Sequence, residues 1–206
     1  MASLESITVE TPEPTAADFY GAALGLGTQV RVRRSEEPSG GFRGFLLGLV
    51  LRQPADVDEI IRGAVLAGAT SVKPAARSLW GYGGVLAAPD GTIVTVASSS
   101  KKDSVAVSTD VEEVVLQLGV ADVAASKRFY AERGFAVGKS YGRRYVEFDT
   151  RPISFTLNRR ADLAKTAGVP ADGSGSHRLL IGGDGDPFTD PDGYAWRPPM
   201  PPAPSS

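Results

Sequence analysis

Apolar and polar positions alternate from the start of the chain. Ile7, Val9 and Thr11 interleave with Ser6, Thr8 and Glu10, the two-residue period of a half-buried strand. Pro12 and Pro14 stop that strand. Thr15 to Leu24 then carries Phe19, Tyr20, Ala23 and Leu24 at helical spacing, and Gly25 and Gly27 supply a helix stop. Gln29 to Arg33 reads as a strand, Ser35 to Gly41 as a loop, and Phe42 to Leu51 as an apolar run of strand length. Pro54 opens a second helix whose Val57, Ile60, Ile61, Ala64 and Val65 form one stripe, closed by Gly68. Strands follow at Gly83 to Ala87 and Thr92 to Ala97, joined by a turn at Pro89-Asp90-Gly91. Ser98 to Thr109 is rich in Ser and Lys and reads as a linker.

The pattern then restarts. Val114, Leu116, Leu118 and Val120 alternate with Glu113, Val115, Gln117 and Gly119. Asp122 is positioned as an N-cap, because its carboxylate can accept a free amide at a helix start. Val123 to Glu132 is the helix, stopped by Gly134. Strands are expected at Ala136 to Ser140, Tyr145 to Phe148, Ile153 to Leu157, Arg178 to Ile181 and Tyr194 to Trp196, with a short helix at Asp162 to Ala167. Two motifs recur: Phe19-Tyr20 returns as Phe129-Tyr130, 110 residues on, and Pro89-Asp90-Gly91 as Pro191-Asp192-Gly193, 102 residues on. Similar offsets for separate motifs argue for internal duplication. The expected organisation is a first module at 1–98, a linker at 99–111, a second module at 112–197 and a mobile proline-rich tail at 198–206.

Composition narrows the chemistry. The chain has 206 residues, a formal net charge of -2 and no cysteine. There is no basic excess to point to nucleic acid or an anionic membrane. Without cysteine, a disulfide scaffold, a zinc–thiolate site and a cysteine nucleophile are excluded. No apolar stretch is long enough to span a bilayer, and the first ten residues lack the basic start and apolar middle of a signal peptide. The expected location is the cytoplasm. Self-association stays open, with a homodimer the form considered.

The segment Val114-Val115-Leu116-Gln117-Leu118-Gly119-Val120-Ala121-Asp122, followed by Ser126-Lys127-Arg128-Phe129-Tyr130 and Gly134-Phe135, resembles the vicinal oxygen chelate superfamily of glyoxalase, bleomycin-resistance and dioxygenase-like proteins. So does the glycine-rich Trp80-Gly81-Tyr82-Gly83-Gly84 leading to Ala88-Pro89-Asp90-Gly91, repeated as Asp190-Pro191-Asp192-Gly193-Tyr194-Ala195-Trp196. The resemblance touches most of residues 4 to 197. It implies an α+β fold of duplicated βαβββ-type modules, whose curved mixed sheets enclose a cleft. It also implies, in many members, a divalent metal held by His, Glu or Gln from the first and last strands of modules.

Carried over residue by residue, the first-strand histidine position falls at Ser6 (or Glu5) and Val115, and the last-strand carboxylate at Thr95 and Arg197. Ser, Val, Thr and Arg make no metal site, because divalent ions need several carboxylates or imidazoles together. The single histidine, His177, rules out a two-histidine iron site within one chain. It reads more readily as a surface residue at a loop–strand junction than as a general base. No metal and no cofactor are therefore expected, and no catalytic residue is assigned.

The candidates for ligand contact are aromatic and polar. Trp80 and Tyr82 are flanked by glycines and could stack on a planar molecule or pack as core, two readings of equal weight. Phe42 starts the apolar strand. Gln117 has the clearest cleft-facing phase. Arg144, Tyr145 and Glu147 add a cation, a phenol and a carboxylate, with Tyr145 and Glu147 on one strand face. The charge run Arg31, Arg33, Arg34, Glu36, Glu37 reads as a solvated loop. Three functions are compatible with this set. One is metal-independent binding of a small, partly aromatic molecule. The second is a glyoxalase-type lyase or isomerase with a rebuilt metal site, or a metal-free acid/base pair such as Glu147 with Tyr145. The third is a protein-interaction module with a vestigial cleft.

Overall fold

The computed structural model describes residues 2–13 and 15–199. Pro14 and most of the proline-rich tail, from Met200 onward, lie outside the described residues. Within them, fifteen strands and four α-helices follow in order: β1 (Ser6–Thr11), α1 (Ala16–Asp18, continued by a π-helical turn Phe19–Ala23), β2 (Val30–Arg34), β3 (Gly40–Gly41), β4 (Phe45–Val50), α2 (Pro54–Leu66), β5 (Thr70–Ser78), β6 (Gly81–Ala87), β7 (Ile93–Ser98), β8 (Glu113–Val120), α3 (Val123–Ala131), β9 (Val137–Tyr141), β10 (Tyr145–Phe148), β11 (Ser154–Arg159), α4 (Arg160–Ala167), β12 (Gly173–Ser174), β13 (Leu179–Gly182), β14 (Phe188–Thr189) and β15 (Ala195–Arg197).

Residues 45–98 run strand, helix, three strands, and so do residues 113–159. In each, the first strand lies parallel to the last: β4 on β7, and β8 on β11. The two units join through their first strands, β4 antiparallel to β8, into one eight-stranded sheet of order β5-β6-β7-β4-β8-β11-β10-β9. The chain ends build a second sheet of order β14-β15-β13-β1-β2 on a trimmed version of the same plan. There β1 and β13 are antiparallel neighbours, flanked by the parallel partners β2 and β15. Each half of the chain thus feeds both sheets. The fold is α+β with mixed curved sheets, as the sequence led one to expect.

The burial pattern explains this arrangement. Ile7 and Val9 of β1, Leu47 and Leu49 of β4, Leu116 and Leu118 of β8, Phe155 and Leu157 of β11 and Ile181 of β13 turn to one continuous core. The core also takes in Tyr20, the stripe Val57, Ile60 and Ala64 of α2, and Val123 and Tyr130 of α3. The alternate residues of the same strands point the other way, to the cleft faces. Asp122 caps α3 as expected, accepting the amides of Ala124 (2.8 Å) and Ala125 (3.1 Å). Pro54 opens α2, where its missing N–H costs nothing.

Two readings are corrected. The charge run is no free loop, because Arg31 and Arg33 belong to β2, beside Thr8 and Glu10 of β1, and Arg33 pairs with Glu10. The strand β5 was missed, since its residues are mostly exposed and follow no alternation. It is an edge strand carrying Pro74 and two register breaks, features that protect such edges.

The segment 99–112 has no helix or strand and is tied to the start of α2. Asp56 accepts Gln53 Nε2 (3.0 Å) and the Ser108 amide (2.8 Å), and Asp103 accepts the Ala55 amide (2.7 Å). Burial pushes the Asp56 carboxyl up, but the Ser108 amide, Gln53 and the Arg52 guanidinium outweigh it and hold the group below its ordinary value. A depressed aspartate contributes stability that is fully present above its unfolded value of about 3.9 and is lost as pH falls through the folded value. The protection factors of the Ser104, Val105 and Ser108 amides should therefore fall below about pH 4, before global acid unfolding. Protection of these amides that persists down to the global transition would mean that Asp56 does not hold the segment.

Candidate functional site

The positions that would carry a metal in such a fold come together in two rows, one on each sheet. On the eight-stranded sheet the register sets Val115 beside Gly48 and Gly48 beside Thr95. On the five-stranded sheet it sets Ser6 beside Gly182 and Gly182 beside Arg197. Each row therefore mixes residues from both halves of the chain, with a glycine in its middle. A Cβ at Gly48 would stand 3.0 Å from Gln117 Nε2 and 3.4 Å from Thr95 Oγ1, so both polar side chains lean over the glycine. At Gly182 a Cβ would collide with Ser6 Oγ.

Neither row suits a divalent cation. The first offers the hydroxyl of Thr95 and the amide of Gln117, with the hydroxyl of Thr156 beside Gln117 on the next strand. The second offers a hydroxyl and a guanidinium. Zinc, iron and manganese require anionic or imidazole donors in number. No group of three or more His, Asp or Glu able to hold a metal occurs among the described residues. The donor set does not fit the metal that this fold commonly carries.

What the cleft face of the eight-stranded sheet does offer is a groove of about 400 Å³ over β6 and β7. Its floor is apolar, with Gly83, Val85 and Ala97, and Thr95 marks its inner end toward Gln117. Trp80 stands at its rim in the β5–β6 turn and is 88% exposed. Lys73 of β5 crosses to the end of α4, donating to the carbonyls of Lys165 (3.1 Å) and Thr166 (2.6 Å), so the groove is closed at that side. Helix α4 fills the rest of this face with Leu163, Ala164 and Ala167 against Leu46, Val85 and Ile93.

Beyond α4 the same face carries a second cluster. Glu147 accepts Tyr145 Oη (3.0 Å) and pairs with Lys139 (3.2 Å), and the Tyr141 ring lies 5.8 Å from that of Tyr145. Burial, followed by the Glu147 charge, raises the Tyr145 phenol well above its ordinary value, so it remains a proton donor at neutral pH. A carboxylate and a protonated phenol in contact can together receive and return a proton to a bound molecule.

The sequence candidates separate accordingly. Trp80 and Tyr82 line the groove, and Gln117 lies outside it, across Gly48 from the lining residue Thr95. Tyr145 and Glu147 form their own cluster. Two others, Phe42 and Arg144, sit elsewhere. Phe42 is buried with Leu46, Ile93 and Leu163 beneath the Arg160 guanidinium, 5.2 Å from its ring, because α4 packs over it. Tyr82, though it borders the groove, turns its hydroxyl to α2 and donates to Asp58 (2.7 Å), a bond that raises its pKa. Arg144 points outward from the β9–β10 turn to Asp162, 3.9 Å away. His177 is a surface residue 3.5 Å from Glu37. Lys73 and Lys139 went unremarked in the sequence. Lys139 shares the two-residue phase of Tyr141, which could have revealed it.

The duplicated motifs meet in three dimensions. Tyr20 Oη donates to Asp90 (3.1 Å), and Tyr130 Oη donates to Asp190 (2.8 Å). The turn motifs correspond as Pro89-Asp90-Gly91 to Pro191-Asp192-Gly193, yet the second tyrosine takes Asp190, two residues earlier. Burial raises both phenols, with the facing carboxylate adding to it. Burial also raises Asp190, against the bonds from the Tyr194 amide and Tyr130.

Comparison with solved structures supports the architecture. Glyoxalase I from Zea mays aligns over 95% of this chain and 91% of its own, with 12% identity and a TM-score of 0.63. A mutant form of the same maize enzyme aligns over 95% and 92%, at 12% identity and a TM-score of 0.60. A glyoxalase/bleomycin resistance protein/dioxygenase family enzyme from Burkholderia phytofirmans aligns over 48% of this chain and 99% of its own, at 20% identity and a TM-score of 0.42. No protein-family model matches the sequence, and no curated protein matches it. Taken with the strand order and the paired first strands, the likeness to the maize enzyme shows that this chain shares the fold of glyoxalase I.

Proposed function

We propose that the protein binds a small, partly aromatic molecule on the cleft face of the eight-stranded sheet, without a metal and within the cytoplasm. One observation carries this reading. The row Val115–Gly48–Thr95, where the two modules meet, holds amide and hydroxyl groups and no carboxylate or imidazole. A groove with an apolar floor and an exposed tryptophan at its rim lies directly beside it. Trp80 is largely free of the protein surface, so its indole face is available to a planar ligand.

The test uses the two tryptophans as reporters. Trp196 is buried at 2% exposure and Trp80 is at the surface. Titration with a panel of planar aromatic compounds should quench Trp80 alone, and the signal should vanish in Trp80→Phe. Trp80→Ala should weaken binding by more than about tenfold, or 1.4 kcal/mol, with no change in melting temperature. Protein desalted after incubation with zinc, nickel, manganese and ferrous iron should retain well under one equivalent. Stoichiometric metal, or ligand affinity that is indifferent to Trp80, would sink the proposal. The Tyr145–Glu147 contact favours a second reading, a metal-free lyase or isomerase. Turnover of a hemithioacetal that is lost in Glu147→Gln would move that reading to first place.

A further inference from the structure

The other row, on the five-stranded sheet, has different chemistry. The described residues enclose there a cavity of about 260 Å³, floored by Leu180 and Gly182 and lined by Ser6, Thr8, Arg33 and Arg197, with Pro198 at its edge. We infer that this cavity is a second binding site, for a small molecule bearing a carboxylate or phosphate group.

Two features support this inference. First, Ser6 and Thr8 are only 5% and 4% exposed and line the cavity, yet neither hydroxyl has a hydrogen-bond partner among the described residues. Both hydroxyls face the cavity, where they can donate to a bound acceptor. Second, the cavity is electropositive. Arg33 pairs with the buried Glu10, while no carboxylate among the described residues pairs with Arg197. Arg197 donates to the carbonyls of Phe188 (3.3 Å) and Trp196 (2.8 Å) through Nη1 alone. Its Nε and Nη2 keep the fork with which arginine holds carboxylates and phosphates.

The size sets the ligand class. At about 260 Å³ the cavity falls below the usual range for drug-sized ligands of about 300 Å³ and more, so it suits a small acid rather than a nucleotide. This site lies on the opposite sheet from the groove beside Trp80, and it stands or falls independently of that proposal.

The test is amide-resolved NMR of the wild-type chain, titrated separately with inorganic phosphate and with malonate at low ionic strength. Saturable shifts are expected at Ser6, Thr8, Gly182, Gly183 and Arg197, and the preferred probe separates a phosphate site from a carboxylate site. Thr8→Val keeps shape and strand propensity and should weaken binding by about tenfold, as should Arg197→Gln. Arg197→Lys should restore part of the affinity through charge, but not the bidentate component. No saturable shift up to about 10 mM of either probe would overturn the inference. So would shifts centred elsewhere, such as the Arg143–Arg144 turn. Because the wild-type titration locates the site, a variant that fails to fold does not decide the outcome.

Discussion

Replacing Trp196 with alanine should destabilise the fold by about 3–5 kcal/mol, the range for removing a large buried aromatic side chain. Trp196 sits on β15 at 2% exposure and is the point where the five-stranded sheet meets the 113–159 unit. Its ring stacks on Phe188 at 5.5 Å and meets Phe135, Phe155 and Tyr130 edge-on at 4.9, 5.4 and 5.8 Å. Its Nε1 donates to Tyr130 Oη at 3.1 Å, and Tyr130 in turn donates to Asp190. Truncation opens a cavity among rings that cannot all move inward, and it removes one donor from a buried chain of hydrogen bonds. In urea the midpoint should fall with the slope unchanged. For a chain of this size each kcal/mol is about 2–4 °C, so melting should drop by about 6–20 °C. A loss below about 1 kcal/mol would show that the neighbouring rings repack into the space.

A comparable loss, again about 3–5 kcal/mol, is expected for Asp90→Ala, through electrostatics instead of volume. The Asp90 side chain is fully buried, 3.7 Å from the nearly buried Arg43. It accepts Tyr20 Oη (3.1 Å), the Thr92 amide (3.0 Å) and Thr92 Oγ1 (3.0 Å). Arg43 also bonds to the Asp90 carbonyl and donates to Thr92 Oγ1 (3.3 Å). Removing the carboxylate leaves a guanidinium, a phenol and a turn amide in the interior without their acceptor. Asp90→Asn keeps the acceptor oxygen but loses the charge, and should cost less than alanine. A double-mutant cycle with Arg43→Met separates the two contributions. If Asp90→Ala alone costs as little as a surface change, within about 0.5 kcal/mol, the carboxylate is not the organiser of this turn.

Asp90 and Asp190 also show how far the sequence could be read. The recurrence of Phe-Tyr and Pro-Asp-Gly announced the duplication, and the structure shows why those residues recur: tyrosine from the helix ties down the turn before the last strand. The sequence match aligned Asp90 with Asp192. The structure uses Asp190 instead, because the turn begins there and its carboxylate reaches both the Tyr194 amide (2.8 Å) and Tyr130. Motif spacing cannot show which carboxylate of Asp190-Pro191-Asp192 faces inward.

The cleft candidates divide by how local their determinants are. Gln117 and Glu147 followed from strand phase alone, and their phase was right because alternation is a property of the single strand. Phe42 and Tyr82 were assigned from composition and glycine neighbours. Their surroundings are set by α4 and α2, elements that arrive from elsewhere in the chain.

What the sequence determined by itself was therefore the longer buried elements and the face that strands such as β1 and β8 turn inward, since periodicity, caps and turn residues act over a few positions. It also determined which residue types stand at the family's ligand positions, Ser6, Val115, Thr95 and Arg197, since that depends on residue identity alone. The tertiary structure decided which positions meet. Val115 shares a row with Thr95, and Ser6 with Arg197, because the first strands of separate units pair antiparallel across the middle of each sheet. That pairing is a long-range choice made by burying two sheet faces in one core. It turned two chemically unpromising positions, a serine and an arginine, into opposite walls of one electropositive cavity.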